Sequence, residues 1–145
     1  AFNQTRLQEA GKSVQGAYIL YEPTEKVDLV LVGNGSEVYM LYEVAQILDN
    51  RKKIHARLVS AISEGLFRSQ PEEYQKRVIP DDIPVFGVTA GLPVTLQSLV
   101  GPRGEVYGMN HFGYSAPAHV LDEKFGFTPD QIVQKVEQFM ARQGE

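Results

Sequence analysis

The run Asp28 to Val32, DLVLV, is almost wholly apolar and shows no alternation between faces. A strand apolar on both sides has no face to give to water, so it belongs inside a sheet that helices cover above and below. Behind it come Gly33, Asn34, Gly35 and Ser36, and then apolar positions at helical spacing: Val38, Leu41, Tyr42, Ala45 and Leu48, with Val44 and Ile47 widening the stripe. The spacing predicts a helix from Ser36 to about Asn50, with Ser36 as its cap. Strand, glycine turn and helix make one βα unit, the layout that in other proteins cradles a phosphate.

The same rhythm continues along the chain. A short strand, Ala17 to Tyr21, precedes the buried one and is closed by Glu22-Pro23-Thr24-Glu25. Ile54 to Ala61 and Pro84 to Thr89 read as further strands, with a short helix between them that starts at a capping box, Ser69-Gln70-Pro71-Glu72, and ends near Val78. Pro93 to Val100 is helix-like, Val106 to Met109 is a last short strand, and Ser115-Ala116-Pro117 opens a helix to about Phe125. Thr128-Pro129-Asp130-Gln131 is a full capping box with proline at the first helical position, and it launches a C-terminal helix carrying Ile132, Val133, Val136, Phe139 and Met140. Strands alternating with helices predict an α/β fold in three layers, α/β/α, around a five-stranded, mostly parallel sheet. The first strand, joined to its successor by a tight turn rather than a crossover helix, is the expected antiparallel edge strand.

Composition limits the function classes. At 145 residues, 43% apolar and 22% charged, the chain suits one domain with its own core. Residues 1–16, polar with a weak apolar repeat, read as an interdomain strap, and residues 17–145 as the domain. The net charge of −4 is mild and the basic residues are scattered, so the footprint of a nucleic-acid binder is missing. No apolar run approaches the ~18–20 residues of a membrane helix, and AFNQTR lacks the layout of a signal peptide. Zero cysteines remove thiolate chemistry and fit a reducing compartment, so a cytoplasmic location is expected. With no initiating Met and no structural signal before residue 17, the chain reads as a segment of a longer polypeptide.

Small motifs carry little chemistry. The turn runs Gly33-Asn34-Gly35-Ser36-Glu37-Val38, with valine where a dinucleotide fingerprint has its third glycine, and no Lys-Ser or Lys-Thr follows as a P-loop requires. Glu37 suits the helix dipole and repels an anion. The turn therefore reads as structural, the alternative being a weak anion or effector site made of Gly33, Asn34, Gly35 and Ser36 with His111, which sits where the last strand hands over to a helix. His119 and Glu123 share a helix face but have no third metal ligand, and His55 falls inside a strand, either on a polar face or as a satisfied buried ring. Ser115 lacks the glycine of a nucleophile elbow and reads as a cap. Tyr39, Tyr42, Phe67, Phe112, Phe125 and Phe127 read as core or interface aromatics. No catalytic, cofactor-binding or metal-binding residue is assigned.

Longer stretches are more specific. GNGSEVYMLYEVAQIL resembles the ATGSEV-plus-helix segment of the third, C-terminal domain of the transketolase family, and MNHFGYSAPAHVLDEKFGFTPDQIV is similar to that family's FG-S-AP…L-E-FGFT…IV signature. EEYQKRVIP, VTAG and VGPRGEVYGMNHFG resemble its intervening passages, and NQTRLQEAGKSVQGAYIL resembles the strap that enters from the pyrimidine-binding domain. Deoxyxylulose-phosphate synthase and 2-oxoacid dehydrogenase β chains would share the fold, but FGYSAP with FGFT favours transketolase proper.

The resemblance implies a parent enzyme that uses thiamine diphosphate and magnesium to move two-carbon ketol units between sugar phosphates, as a homodimer with the cofactor held by its other two domains. This segment would then be non-catalytic and would support dimerisation or regulation. The family's diphosphate motif begins GDG and ends NN; here Asn34 replaces the metal-holding acid, and a lone Asn50 follows. Thr89 stands where the family usually has Glu, Leu96 where it often has Trp, and Ala61-Ile62-Ser63-Glu64-Gly65 replaces an MPSWE-like run. The rival reading is a stand-alone regulatory α/β domain that takes an anionic metabolite at the turn.

Overall fold

A computed structural model of the chain describes residues 15–35, 37–89, 94–108 and 128–143. Strand β1 (Ala17–Tyr21) is followed by β2 (Leu29–Gly33) and helix α1 (Glu37–Ile47), which runs on into a π-helical turn (Leu48–Lys52). Then come β3 (Ala56–Ala61), α2 (Glu64–Arg68), α3 (Glu72–Val78), β4 (Val85–Thr89), α4 (Val94–Val100), β5 (Glu105–Gly108) and α5 (Pro129–Gln143).

The sheet order is β1-β3-β2-β4-β5. β2 lies parallel to β3 and β4, and β4 parallel to β5. β1 is the antiparallel edge strand, as its tight connection predicts, though it pairs with β3, Ala17 opposite Ala61, rather than with its sequence successor. Every residue of β2 is buried, which is what an unalternating apolar run requires.

Side chains on alternate positions divide between two cores. On one face Leu29, Leu31, Leu58 and Phe86 meet Leu41, Val44 and Leu48 of the α1 segment and Ile132, Val136 and Phe139 of α5. On the other, Val30, Val32, Val59 and Val85 meet Phe67 of α2, Tyr74 and Val78 of α3, and Leu96, Leu99 and Val100 of α4. These are the three expected layers. Helix α5 begins at its capping box: the Gln131 N–H donates to Thr128 Oγ1 at 3.3 Å and the Thr128 N–H to Gln131 Oε1 at 3.4 Å.

Three local readings change. Ser69 opens no capping box; it closes the unforeseen helix α2, donating its hydroxyl to the Leu66 carbonyl at 2.6 Å, and α3 starts after Pro71 with no side-chain cap. Helix α2 escaped notice because it is a single turn, capped by the Ser63 side chain, which accepts from the Leu66 N–H. His55 precedes β3 instead of lying in it, since its N–H is taken by the Asp28 carboxylate at 3.0 Å. Of the aromatics, Phe67 is core, Tyr42 packs edge-on to Tyr21 at 5.4 Å, and Tyr39 is exposed. Phe112, Phe125, Phe127, Ser115, His119 and Glu123 lie outside the described residues, as does the helix expected there.

At Gly33 helix α1 lies close over the sheet: a Cβ built there would stand 2.6 Å from Leu41 Cδ1. Gly33→Ala is expected to cost ~1–3 kcal/mol by overpacking, and much less in a Leu41→Ala background; a double-mutant cycle in urea checks this. Phe139, 1% exposed and 5.5 Å from the Phe86 ring, ties α5 to the sheet. Phe139→Ala should lower the unfolding free energy by ~3–5 kcal/mol in the same experiment.

Candidate functional site

The carboxyl ends of the parallel strands share one edge, the side on which open α/β sheets bind ligands. The turn singled out in the sequence stands there. Gly33, last in β2, pairs with Ser60 of β3 and Val88 of β4. Asn34 is half-buried, and Gly35 is exposed with φ 60°, a left-handed conformation that a side chain would strain and that turns the chain sharply into α1. The Val38 N–H returns to the Gly35 carbonyl at 3.4 Å. Ser36 and His111 lie outside the described residues, so the expected anion or effector site is traced only through Gly33, Asn34 and Gly35.

Two contacts govern what this turn can hold. Leu41 fills the space over Gly33, so that glycine serves helix–strand packing rather than the approach of a phosphate. The Glu37 carboxylate, in the first turn of α1, lies 3.8 Å from where a Gly35 side chain would begin. It complements the helix dipole and occupies with negative charge the place an anion would take. A magnesium–diphosphate pair does not fit here: Gly33, Asn34 and Gly35 bring no carboxylate for the metal, and Glu37 opposes the diphosphate.

Elsewhere on the carboxyl edge, Thr89 ends β4 at 2% exposure, and Leu96 is a core residue of α4. At the other edge, by the amino ends of β4 and β5, a cleft of about 690 Å³ lies beside α3, α4 and the turn before β5, lined by Arg68, Glu72, Lys76, Asp81, Asp82 and Arg103 among others. Its charges partly cancel. Lys76 pairs with Glu72 at 2.9 Å and with Asp81 at 3.8 Å. The hydrogen bond from Lys76, then its charge, holds the Glu72 carboxyl below its ordinary range, and Glu72 reciprocally raises Lys76. Both side chains are exposed, where such pairs contribute little.

The same amino edge carries, by the start of β3, a group that no sequence pattern announces. His55 Nδ1 lies 2.7 Å from Asp49 Oδ1 and 3.4 Å from Glu25 Oε2. Asp49 belongs to the π-helical turn and Glu25 to the β1–β2 connection, so the three come from separate segments. Their positions follow neither a helical nor a strand period, and Asp49 reaches the start of β3 from within the π-helical turn.

The family described as "Transketolase-like TK C-terminal domain" matches residues 16–128. The transketolase of Aquifex aeolicus is 38% identical over 123 residues, 84% of this chain and 18% of the relative. A probable transketolase of Schizosaccharomyces pombe is 37% identical over 123 residues, 85% of this chain and 17% of the relative. Among solved structures, transketolase from Leishmania mexicana superposes with a TM-score of 0.80 at 32% identity, covering 91% of this chain and 19% of that one. The chain thus spans about a fifth of the length of the relatives it matches. With the two-faced sheet, the antiparallel edge strand and this match over most of its residues, the chain belongs to the transketolase C-terminal domain family.

Proposed function

We propose that this chain serves as the non-catalytic C-terminal domain of a transketolase, an enzyme that transfers two-carbon ketol units between sugar phosphates with thiamine diphosphate and magnesium. One observation carries the reading: the transketolases it matches are about five times as long, and the part they share with it is their C-terminal domain. Cofactor and substrate then bind to the remaining domains of the parent, which works as a cytoplasmic homodimer in the pentose phosphate pathway. Residues 1–16 act as the strap from the preceding domain, and residues 17–145 support dimerisation or regulation.

Leu41 packed over Gly33, and Glu37 beside Gly35, support a structural role for the β2–α1 turn. The same carboxylate weighs against the rival reading, in which Gly33, Asn34, Gly35, Ser36 and His111 hold an anionic metabolite in a free-standing regulatory domain.

In calorimetry the isolated chain should not bind thiamine diphosphate with Mg²⁺, and it should not transfer ketol units between sugar phosphates. Saturable micromolar binding would overturn the assignment. The coding sequence upstream of residue 1 supplies a second check: a GDG…NN motif and a pyrimidine-binding domain are expected there, whereas an immediate start codon would favour the free-standing domain.

A further inference from the structure

The amino edge of the sheet, opposite the β2–α1 turn, has no part in that proposed function, and there one imidazole nitrogen and two carboxylates converge. We propose that Glu25, Asp49 and His55 form a binding site for a divalent transition metal of the zinc type. The ligand-capable atoms of the three all lie within 4.8 Å of one another. That spread is close to the reach of two metal–ligand bonds of ~2.0–2.2 Å each. One nitrogen with two oxygens favours zinc, cobalt or nickel over magnesium and calcium, which take oxygen almost exclusively. Three protein ligands leave a fourth position for water.

Charge gives a separate argument. Two carboxylates face a single imidazole, and Asp28 adds a third beside it, accepting the His55 N–H at 3.0 Å. Three cations near in sequence are engaged elsewhere: Arg51 with Asp130 at 3.6 Å, Lys52 with Glu137 at 3.4 Å and Arg57 with Glu22 at 2.9 Å. Among the described residues, no Lys or Arg comes within 4.0 Å of Glu25 or Asp49. Even with His55 protonated, the group retains negative charge that a dication would balance.

The ligands are also held in place before any ion arrives. Leu48, fully buried, anchors the π-helical turn that carries Asp49, and its carbonyl receives the N–H groups of both Lys53 and Ile54. Lys53 sits there at φ 57°, a conformation that a non-glycine residue adopts only when its surroundings impose it. His55 is fixed through its backbone, since its carbonyl accepts from the Asp28 N–H at 2.8 Å while its own N–H goes to the Asp28 carboxylate. Glu25, half exposed, takes the Thr24 hydroxyl on Oε1 at 2.9 Å and turns Oε2 toward the ring. Such outer contacts orient a ligand and sharpen its affinity. A bound ion would clamp the β1–β2 connection, the end of α1 and the start of β3 together.

Titrating the chain with Zn²⁺ in the presence of excess Mg²⁺ tests this. One saturable event and a rise in Tm are expected. Glu25→Gln, at an exposed turn where the fold should survive, is expected to weaken binding more than about tenfold, and Asp49→Asn or His55→Ala to weaken it further. In NMR the His55 ring signals should move on adding Zn²⁺, and the double variant His111→Gln, His119→Gln should leave affinity unchanged. The proposal fails if no saturable binding occurs, if Glu25→Gln and Asp49→Asn bind as tightly as the unaltered chain, or if binding disappears with His111 and His119. Any of these results would leave the His55–Asp49 contact as an ordinary hydrogen bond. None bears on the transketolase assignment, which rests on cofactor binding and on the upstream sequence.

Discussion

The complete burial of β2 on both faces is the constraint from which the rest of the domain follows. Leu29, Val30, Leu31 and Val32 have no exposed surface. Burying a side chain of that size contributes roughly 1.5–3 kcal/mol relative to leaving it in water, so this strand can exist only with sheet on each side and a helical layer on each face. β3 and β4 supply the first requirement and the two helical layers the second. Because the four buried side chains alternate between layers, Leu29 and Leu31 join α1 and α5 while Val30 and Val32 join α2, α3 and α4. A register slip of one residue would exchange these partners and undo both cores.

With both faces of the sheet occupied, polar chemistry in the described residues is left to the strand ends. At the carboxyl edge the backbone is held by local hydrogen bonding: the Gly16 carbonyl accepts from the Ile62 N–H at 2.7 Å and the Ser63 N–H at 2.9 Å, tying the entry to β1 to the corner between β3 and α2. The buried Tyr74 hydroxyl donates to the Ala17 carbonyl at 2.7 Å and pins α3 to the same corner. Helix and strand ends are thus used mainly to support one another. At the amino edge two carboxylates, Glu25 and Asp49, instead converge on the His55 ring.

The architecture was legible because it rests on periodicity. The unalternating run in β2, the helical stripe from Val38 to Leu48 and the capping box at Thr128 each state a local structure that packing then agrees with. What escaped were features set by contacts between distant residues. Helix α2 is too short for a period to emerge, and the role of Ser69 at its end depends on that helix, so by pattern Ser69 reads as the start of α3. Sequence pattern sees only the immediate neighbours of His55, whereas the partners of its ring come from the β1–β2 connection and from a π-helical turn, an insertion that no propensity scale encodes. At the expected anion site Glu37 already argues against a ligand from its place in the sequence, whereas the contact between Leu41 and Gly33 needs the fold.

That contact explains why a glycine-rich turn after a strand is weak evidence for a phosphate site. Glycine at the end of a buried strand answers two different needs: it lets a ligand approach the backbone, or it lets the following helix do so. Both needs select the same residue at the same place, so composition cannot separate them. The occupant can. Over Gly33 the occupant is Leu41, an apolar side chain of the helix itself, and the exposed side of the turn carries the carboxylate of Glu37. A turn built to receive phosphate would keep the first space open and the second free of negative charge. This one does neither: Gly33 answers the packing of α1 against β2, and Gly35 the left-handed backbone at φ 60° that turns the chain into α1.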